Sequence, residues 1–327
     1  TDPLKEITDR TGSGPYMFAA DRYRPGEKVV YLKNPYYVPR NEPADGTAGG
    51  KHVYVDELDW VILRDAQTVA NAIEKGEVDV VEMVPNEQYS VLKKNPDIQL
   101  LNQTGKQSAM LHLNHAIPPF NNPKIAQAAL MAINQAALQR AQIVHKELWN
   151  TCTSIYPCGS LYASDKTDYF TGKPQFKRAQ ELLKEAGYDG TPVVPMLPAD
   201  MPSLNKYPPV MAELLRRAGF KVDLQSMDWA TLVTRRTKSS PVSEGGWNGF
   251  ITFWNQADTF NPLFFAPLTG SGLKGWFGWT DDPKLEALKD EFVGTSDLAK
   301  RKELAEGIQL RVMDSGVYGM LGEAKHI

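Results

Sequence analysis

Residues 193–229, VVPMLPADMPSLNKYPPVMAELLRRAGFKVDLQSMDW, decide the fold class. VVPMLP is a short apolar run of strand length. YPPVMAELLRRAGF opens on prolines, spaces its apolar residues along one helix face and stops at Gly219. KVDLQSMDW alternates and reads as a second strand. Strand, helix and strand in that order are the unit from which α/β domains are assembled.

The same texture extends both ways. Downstream come a helix (ATLVTRRTKS), a strand (GWNGFITFW), an aromatic-rich loop region over 254–283 and two helices, PKLEALKDEFVG and AKRKELAEGIQLRVMDS. Asp281 and Asp282 precede the first of these, where negative charge suits a helix N-terminus. Upstream, QFKRAQELLKEAGYDG reads as a helix ended by Gly187, and PKIAQAALMAINQAALQRAQIV as one long helix with a proline start.

The N-terminal third is thinner. MFAADRY and KVVYLKN predict a hairpin around RPGE, and VDELDWVILRD a strand. AQTVANAIEKGEVD predicts a helix stopping at Gly76, VDVVEMV a strand, NEQYSVLKKNP a short helix, and IQLLNQT and SAMLHLNH strands. The expectation is two α/β domains. The first has few elements for its size, and the final YGMLGEAKHI is strand-like and apolar, so both ends read as cuts.

Composition excludes several classes. At 327 residues, 42% hydrophobic, 23% charged and net charge −3, the chain is an ordinary folded protein with no electrostatic footprint for nucleic acid. No run approaches the roughly 18 apolar residues of a membrane span, and TDPLKEITDR is charged from its start, unlike a signal segment. Cys152 and Cys158, in the loop NTCTSIYPCGS, read either as a small disulfide of an oxidising compartment or as two packed thiols. Neither has a histidine at zinc-ligand spacing. No Walker-type phosphate loop, GxSxG or HExxH motif occurs, and no GxGxxG follows a strand. His112 and His115, three apart on a strand, point to opposite faces. No nucleophile with its base emerges, so the expectation is no enzyme, no cofactor and no metal.

One stretch calls for a ligand. FWNQADTFNPLFF (253–265) surrounds Asp258 with four phenylalanines and a tryptophan, and no Lys or Arg lies within ten residues on either side. Trp247, Trp254, Trp276 and Trp279 fall within 33 residues. Aromatic faces beside a carboxylate suit an organic ammonium or a mixed polar–apolar ligand. A turn or helix-cap role before FNPLFF is the alternative for Asp258.

The order of motifs resembles the extracytoplasmic solute-binding proteins of family 5, which feed peptide and nickel ABC importers. GSGPY is similar to that family's GTGPY loop, and AIEKGEVDVVEMVP to its helix–strand segment. LHLNHAIPPFNNPKIAQAALMAIN is similar to its hinge stretch. QELLKEAGY and MAELLRRAGFKVDLQSMDW match its A..LL.eAG and following strand, and WNQADTFNPLFF its W.aDy.dP. The resemblance implies an α/β, two-lobed, Venus-flytrap (type II) architecture. The first lobe, incomplete here, would comprise 1–112 and 318–327, and the inserted lobe 113–317. It also implies a periplasmic, monomeric capture protein that takes a peptide or related amine-bearing solute to membrane permease subunits. An opine, oligosaccharide or metal chelate is the alternative cargo, and hydrolysis in the cleft a remote alternative.

Residue by residue, the family's motif tryptophan falls on Trp254 and its ammonium-binding aspartate on Asp258. WNQAD is one residue longer than the commoner pattern, and Asn261-Pro262 stands for Asp-Pro. The cleft-lining tryptophan and arginine fall on Trp229 and Arg236, with Arg235 the alternative after a one-residue shift. Trp247 would join the aromatic lining. Asn114 and Tyr318 would sit at the two hinge crossings and reach the ligand.

Overall fold

The computed structural model describes residues 9–45, 48–63, 65–101 and 106–325. Chain contacts divide it into two compact units, Thr1–Gln99 and Leu100–Ile327.

In the first unit, β1 (Tyr16–Phe18), β2 (Lys28–Lys33) and β3 (Glu57–Val61) form an antiparallel sheet in that order. The expected hairpin is present, with Tyr16 opposite Lys33. Its first strand is shorter than the sequence suggests, because Ala20–Arg22 winds into a 3-10 turn. On β3, Glu57 pairs with Arg22, and Asp59 with Lys28 at 2.6 Å. Asp65 caps α1 (Ala66–Glu74) by accepting the Thr68 N–H at 2.8 Å, and α2 (Tyr89–Leu92) follows. VDVVEMV forms no strand, since residues 77–84 are turn and coil. Val80 is left exposed there. Strand propensity is realised only where a ladder is available, and none meets this segment among the described residues. IQLLNQT likewise forms no strand through 101, and Asn102–Thr104 lie outside the described residues.

The second unit contains, in chain order, β4 (Lys106–Leu113), α3 (Pro123–Met131), α4 (Gln135–Ile143), β5 (Trp149–Asn150), α5 (Phe176–Glu185), β6 (Met196–Pro198) and α6 (Tyr207–Arg217). It continues through β7 (Gln225–Met227), α7 (Trp229–Arg235), β8 (Gly249–Asn255), α8 (Gln256–Thr259), α9 (Pro283–Gly294), α10 (Leu298–Ser315) and β9 (Tyr318–Lys325). The deciding stretch folds as read: β6 and β7 pair in parallel, Met196 opposite Gln225, with α6 between them in sequence. The long helix does not. Asn134 turns extended and accepts the Ala137 N–H at 3.1 Å, so it caps α4 and splits the run after Ala132. An Asn followed by a fresh apolar period is a start signal hidden inside a helical pattern.

A four-stranded antiparallel sheet, order β5-β9-β4-β8, forms the centre of this unit. Leu111, Leu113, Phe120, Leu130, Ile133, Phe292, Ile308 and Leu321 are buried together around it, each contributing about 1.5–3 kcal/mol by leaving water. The buried amides of Gln135 and Gln139 donate to the Met320 and Leu321 carbonyls at 3.0 Å each, tying α4 to β9. Gly316 makes the turn from α10 into β9 at φ 67°, where a Cβ would stand 2.6 Å from that of Ala126.

Candidate ligand-binding site

Strand register assembles the site. Pairing with β8 sets Phe250 opposite His112, and pairing with β9 sets Tyr318 opposite the same histidine. Phe250, Thr252 and Trp254 alternate onto one face of β8.

Trp254 is half-buried, with its ring edge-on to Phe265 at 5.0 Å and to Trp276 at 5.6 Å. Its Nε1–H donates to Nε2 of His112 at 3.4 Å. His112 is 3% exposed, stacked on Phe250 at 4.9 Å and 4.8 Å from Trp276. Burial first, and the positive charge of Arg236 second, hold its pKa down to about 3, so the imidazole is neutral at physiological pH.

Arg236 caps the C-terminus of α7. Its guanidinium carbon lies 5.7 Å from the ring centre of Trp229, 5.8 Å from Phe250, 5.9 Å from Trp276 and 5.1 Å from Phe277. Nε is buried without a hydrogen-bond partner, and among the described residues no carboxylate pairs with this side chain. Burial lowers its pKa, yet a guanidinium remains charged. Aromatic faces return about 0.5–2 kcal/mol to such a cation, but they accept none of its hydrogen bonds. The geometry therefore offers a partly desolvated cation with donors to spare. Its neighbour Arg235 is committed, with Nε and Nη2 on the carbonyl of Gly246 at 3.2 and 2.7 Å and Nη1 on Gln225 Oε1 at 2.6 Å. It lines an open depression of ≈ 610 Å³ along α7, together with Thr231, Thr234 and Lys238.

Asp258 takes the cap geometry. Its Oδ2 accepts the Asn255 N–H at 3.2 Å, and the Asn255 side chain reciprocates at the start of α8. No cation pairs with this carboxylate among the described residues, and the residue is half-exposed.

Three other expected ligand residues lie behind this surface. Trp247 is 0% exposed and donates its indole N–H to the Arg236 carbonyl at 3.1 Å. Asn114 is also fully buried, donating to the Trp247 carbonyl at 2.9 Å and accepting the Ala116 N–H at 3.0 Å. In this structure Trp247 braces the Arg236 backbone, Asn114 braces Trp247 in turn, and both are fully buried. Tyr318 is buried, with an unpartnered hydroxyl, and burial raises its pKa well above the ordinary value. With His112, Trp276 and Gly278 it lines a cavity of ≈ 10 Å³, room for one water at most.

The structure thus gathers Trp254, Trp229 and Arg236 around Trp276 and Phe250. Phe250 and Phe277 were not singled out from sequence, His112 was weighed only as half of a metal pair, and Phe265 only as one of the phenylalanines around Asp258. The period-two alternation of Phe250 with Trp254 was the available signal; the cross-strand partner His112 needed the register.

Cys152 and Cys158 are joined, S–S 2.04 Å. Glu323 lies against them, within 4.8 Å, the only such trio of potential metal ligands among the described residues. Both sulfurs are spent on the bond, and the buried carboxylate accepts from the Cys158 N–H at 2.7 Å, Asn150 Nδ2 at 2.9 Å and Lys106 Nζ at 3.1 Å.

The sequence profile of bacterial extracellular solute-binding proteins, family 5 Middle, matches residues 2–276. A probable peptide ABC transporter periplasmic-binding protein, y4tO of Sinorhizobium fredii, is 35% identical over 94% of this chain and 59% of its own length. Heme-binding protein A of Haemophilus influenzae is 26% identical over 92% of this chain and 52% of its own. The chain thus spans little more than half the length of these curated relatives. Among solved structures, AgaA of A. tumefaciens R10 in complex with agropinic acid superposes with TM-score 0.78 at 22% identity, over 96% of this chain and 60% of that one. A dipeptide-binding protein from Pseudoalteromonas sp. SM9913 in complex with Met-Leu does so with TM-score 0.74 at 23% identity, over 96% and 59%. These structures share the two-lobed α/β fold.

Proposed function

The chain belongs to the bacterial extracellular solute-binding proteins of family 5, and on that premise we propose that it carries solute-binding surface of an ABC importer's substrate-binding component. The solute is a peptide or related small molecule bearing both an amine and an acid. The protein works outside the cytoplasm, hands its cargo to permease subunits and performs no chemistry on it. No helix among the described residues is long and apolar enough to cross a membrane.

The observation that carries this reading is Arg236, a cation ringed by four aromatic side chains with no carboxylate partner among the described residues. A bound carboxylate would supply the missing acceptor in a water-poor setting, where charge-assisted hydrogen bonds are strongest. Asp258, at the other end of the Trp254 strand turn, supports an ammonium contact through the oxygen its cap leaves over. Trp254 and Trp229 would cover the apolar remainder.

The lobe division 1–112, 113–317 and 318–327 is part of this proposal. The residues flanking its two crossings, His112 and Tyr318, are register partners, which supports crossings made side by side. The experiment is calorimetry of peptides with free, acetylated and amidated ends against the full-length wild type and Arg236→Met. Weaker binding of C-amidated peptides in the wild type, with no such loss in Arg236→Met, supports the carboxylate contact. Indifference of the wild type to amidation sinks it. An opine-like diacid is the second reading, supported because Arg236 has no carboxylate partner among the described residues whereas Asp258 is half spent on its cap; such a solute would bind while N-acetylation left affinity unchanged.

A further inference from the structure

We propose that His112 is the positioning residue of the aromatic wall: by accepting the indole N–H of Trp254 while packed against Phe250 and Trp276, it fixes the Trp254 ring. The donor is Nε1 of Trp254 and the acceptor Nε2 of His112, at 3.4 Å. No other acceptor takes that N–H among the described residues. The imidazole can accept only as the neutral tautomer with its proton on Nδ1.

The packing gives the contact reach. Phe250 and Trp276, the two rings closest to His112, are also two of the four that surround Arg236. Trp276 touches Trp254 as well, at 5.6 Å. One buried side chain therefore touches the ring proposed to cover the solute and two rings that hold the cation. A phenylalanine would fill the same space but leave the indole N–H without its acceptor, freeing the half-buried ring to turn toward water. A protonated imidazole would lose its lone pair and set a second positive charge beside Arg236.

The consequence for binding rests on the solute-binding reading above, whereas the hydrogen bond and the tautomer do not. In full-chain protein labelled with ¹⁵N at tryptophan and histidine, long-range ¹H–¹⁵N spectra read the tautomer, and Trp254→Phe assigns the indole signal. His112 should carry its proton on Nδ1. His112→Phe should shift the Trp254 indole signal, and His112→Gln, whose carbonyl can accept, should move it back. With trialanine as probe, His112→Phe should bind about threefold to tenfold more weakly, the range of one lost hydrogen bond, with His112→Gln intermediate. A proton on Nε2, or an indole signal unmoved in His112→Phe, overturns the proposal. Should His112→Phe not fold, the wild-type tautomer decides. Failure of the wild type to bind trialanine counts against the solute reading and leaves the spectra to judge the positioning.

Discussion

Oδ2 of Asp258 accepts the backbone N–H of Asn255 at 3.2 Å, so one carboxylate oxygen closes a helix cap and the other is left over. Cap and ligand roles are compatible, because a cap fixes the carboxylate's direction without neutralising its charge. Asp258→Asn keeps a side-chain oxygen for the cap and removes the charge. Affinity for peptides with a free amino terminus should fall about tenfold or more, the worth of a charge-assisted hydrogen bond, and affinity for N-acetylated peptides should not change. Stability should move by less than about 1 kcal/mol. Calorimetry beside a urea titration separates the two effects, and equal loss for both peptide classes would assign Asp258 to the cap alone.

Arg236→Met makes the opposite trade. It removes a half-buried guanidinium that has no anionic partner among the described residues and leaves an apolar chain of similar reach among Trp229, Phe250, Trp276 and Phe277. The unliganded variant should be as stable as the wild type or up to about 1 kcal/mol more stable, since an unpaired charge no longer loses water on folding. Peptide affinity should drop about tenfold or more. A destabilised variant with intact affinity would show that the cation holds the fold rather than the solute.

Much of this arrangement is legible in the sequence. The βαβ unit over 193–229 followed from strand length, helical spacing and Gly219, all local signals. Motif order brought Trp254, Trp229 and Arg236 to attention. One helical and two strand readings failed: Asn134 is a cap inside an apolar period, and VDVVEMV, like IQLLNQT through Leu101, has β-propensity without a ladder to join among the described residues. The burial of Trp247 and Asn114 and the role of His112 were not legible, because each depends on cross-strand or cross-loop partners more than a hundred residues away. Sequence marks an aromatic as important; register decides whether it faces solute or core.

The Cys152–Cys158 bond closes a separation of six residues, and the same loop is tied by Gln135 to the Cys152 backbone at 2.6 and 2.9 Å and by Glu323 to that of Cys158. Loop-closure entropy for so short a ring is about 2 kcal/mol. The double variant Cys152→Ser/Cys158→Ser should lose about that much, seen as a lower urea midpoint, and wild type in a phosphine reductant should match it. Glu323→Gln should cost more, because Lys106 loses its buried anionic partner while Cys158 keeps only a weaker acceptor. If reductant leaves the midpoint in place, the hydrogen bonds of Gln135 and Glu323, not the covalent link, hold this loop.

Asp282 gives the second unit an acid-sensitive joint. It caps α9 through the Lys284 and Leu285 N–H groups at 3.2 Å each, and accepts from Arg311 Nε at 2.8 Å and from the Ser315 hydroxyl of α10. Burial alone would raise its pKa, but these hydrogen bonds, with Ser315 and Arg311 foremost, outweigh it and the pKa is lowered. A carboxyl whose folded pKa lies below its unfolded value stabilises the protein above the unfolded pKa and loses that contribution as pH falls through the folded one. The window therefore opens near pH 4, about the pKa of an unfolded aspartate, and extends downward. Asp282→Asn should destabilise the protein by about 2 kcal/mol at pH 7, the worth of hydrogen bonds to a charged group. The gap between variant and wild type should narrow as pH drops below about 4. Urea midpoints measured from pH 3 to pH 7 provide the comparison. A gap independent of pH would mean that Asp282 holds the junction of α9 and α10 by shape and neutral hydrogen bonds rather than by charge.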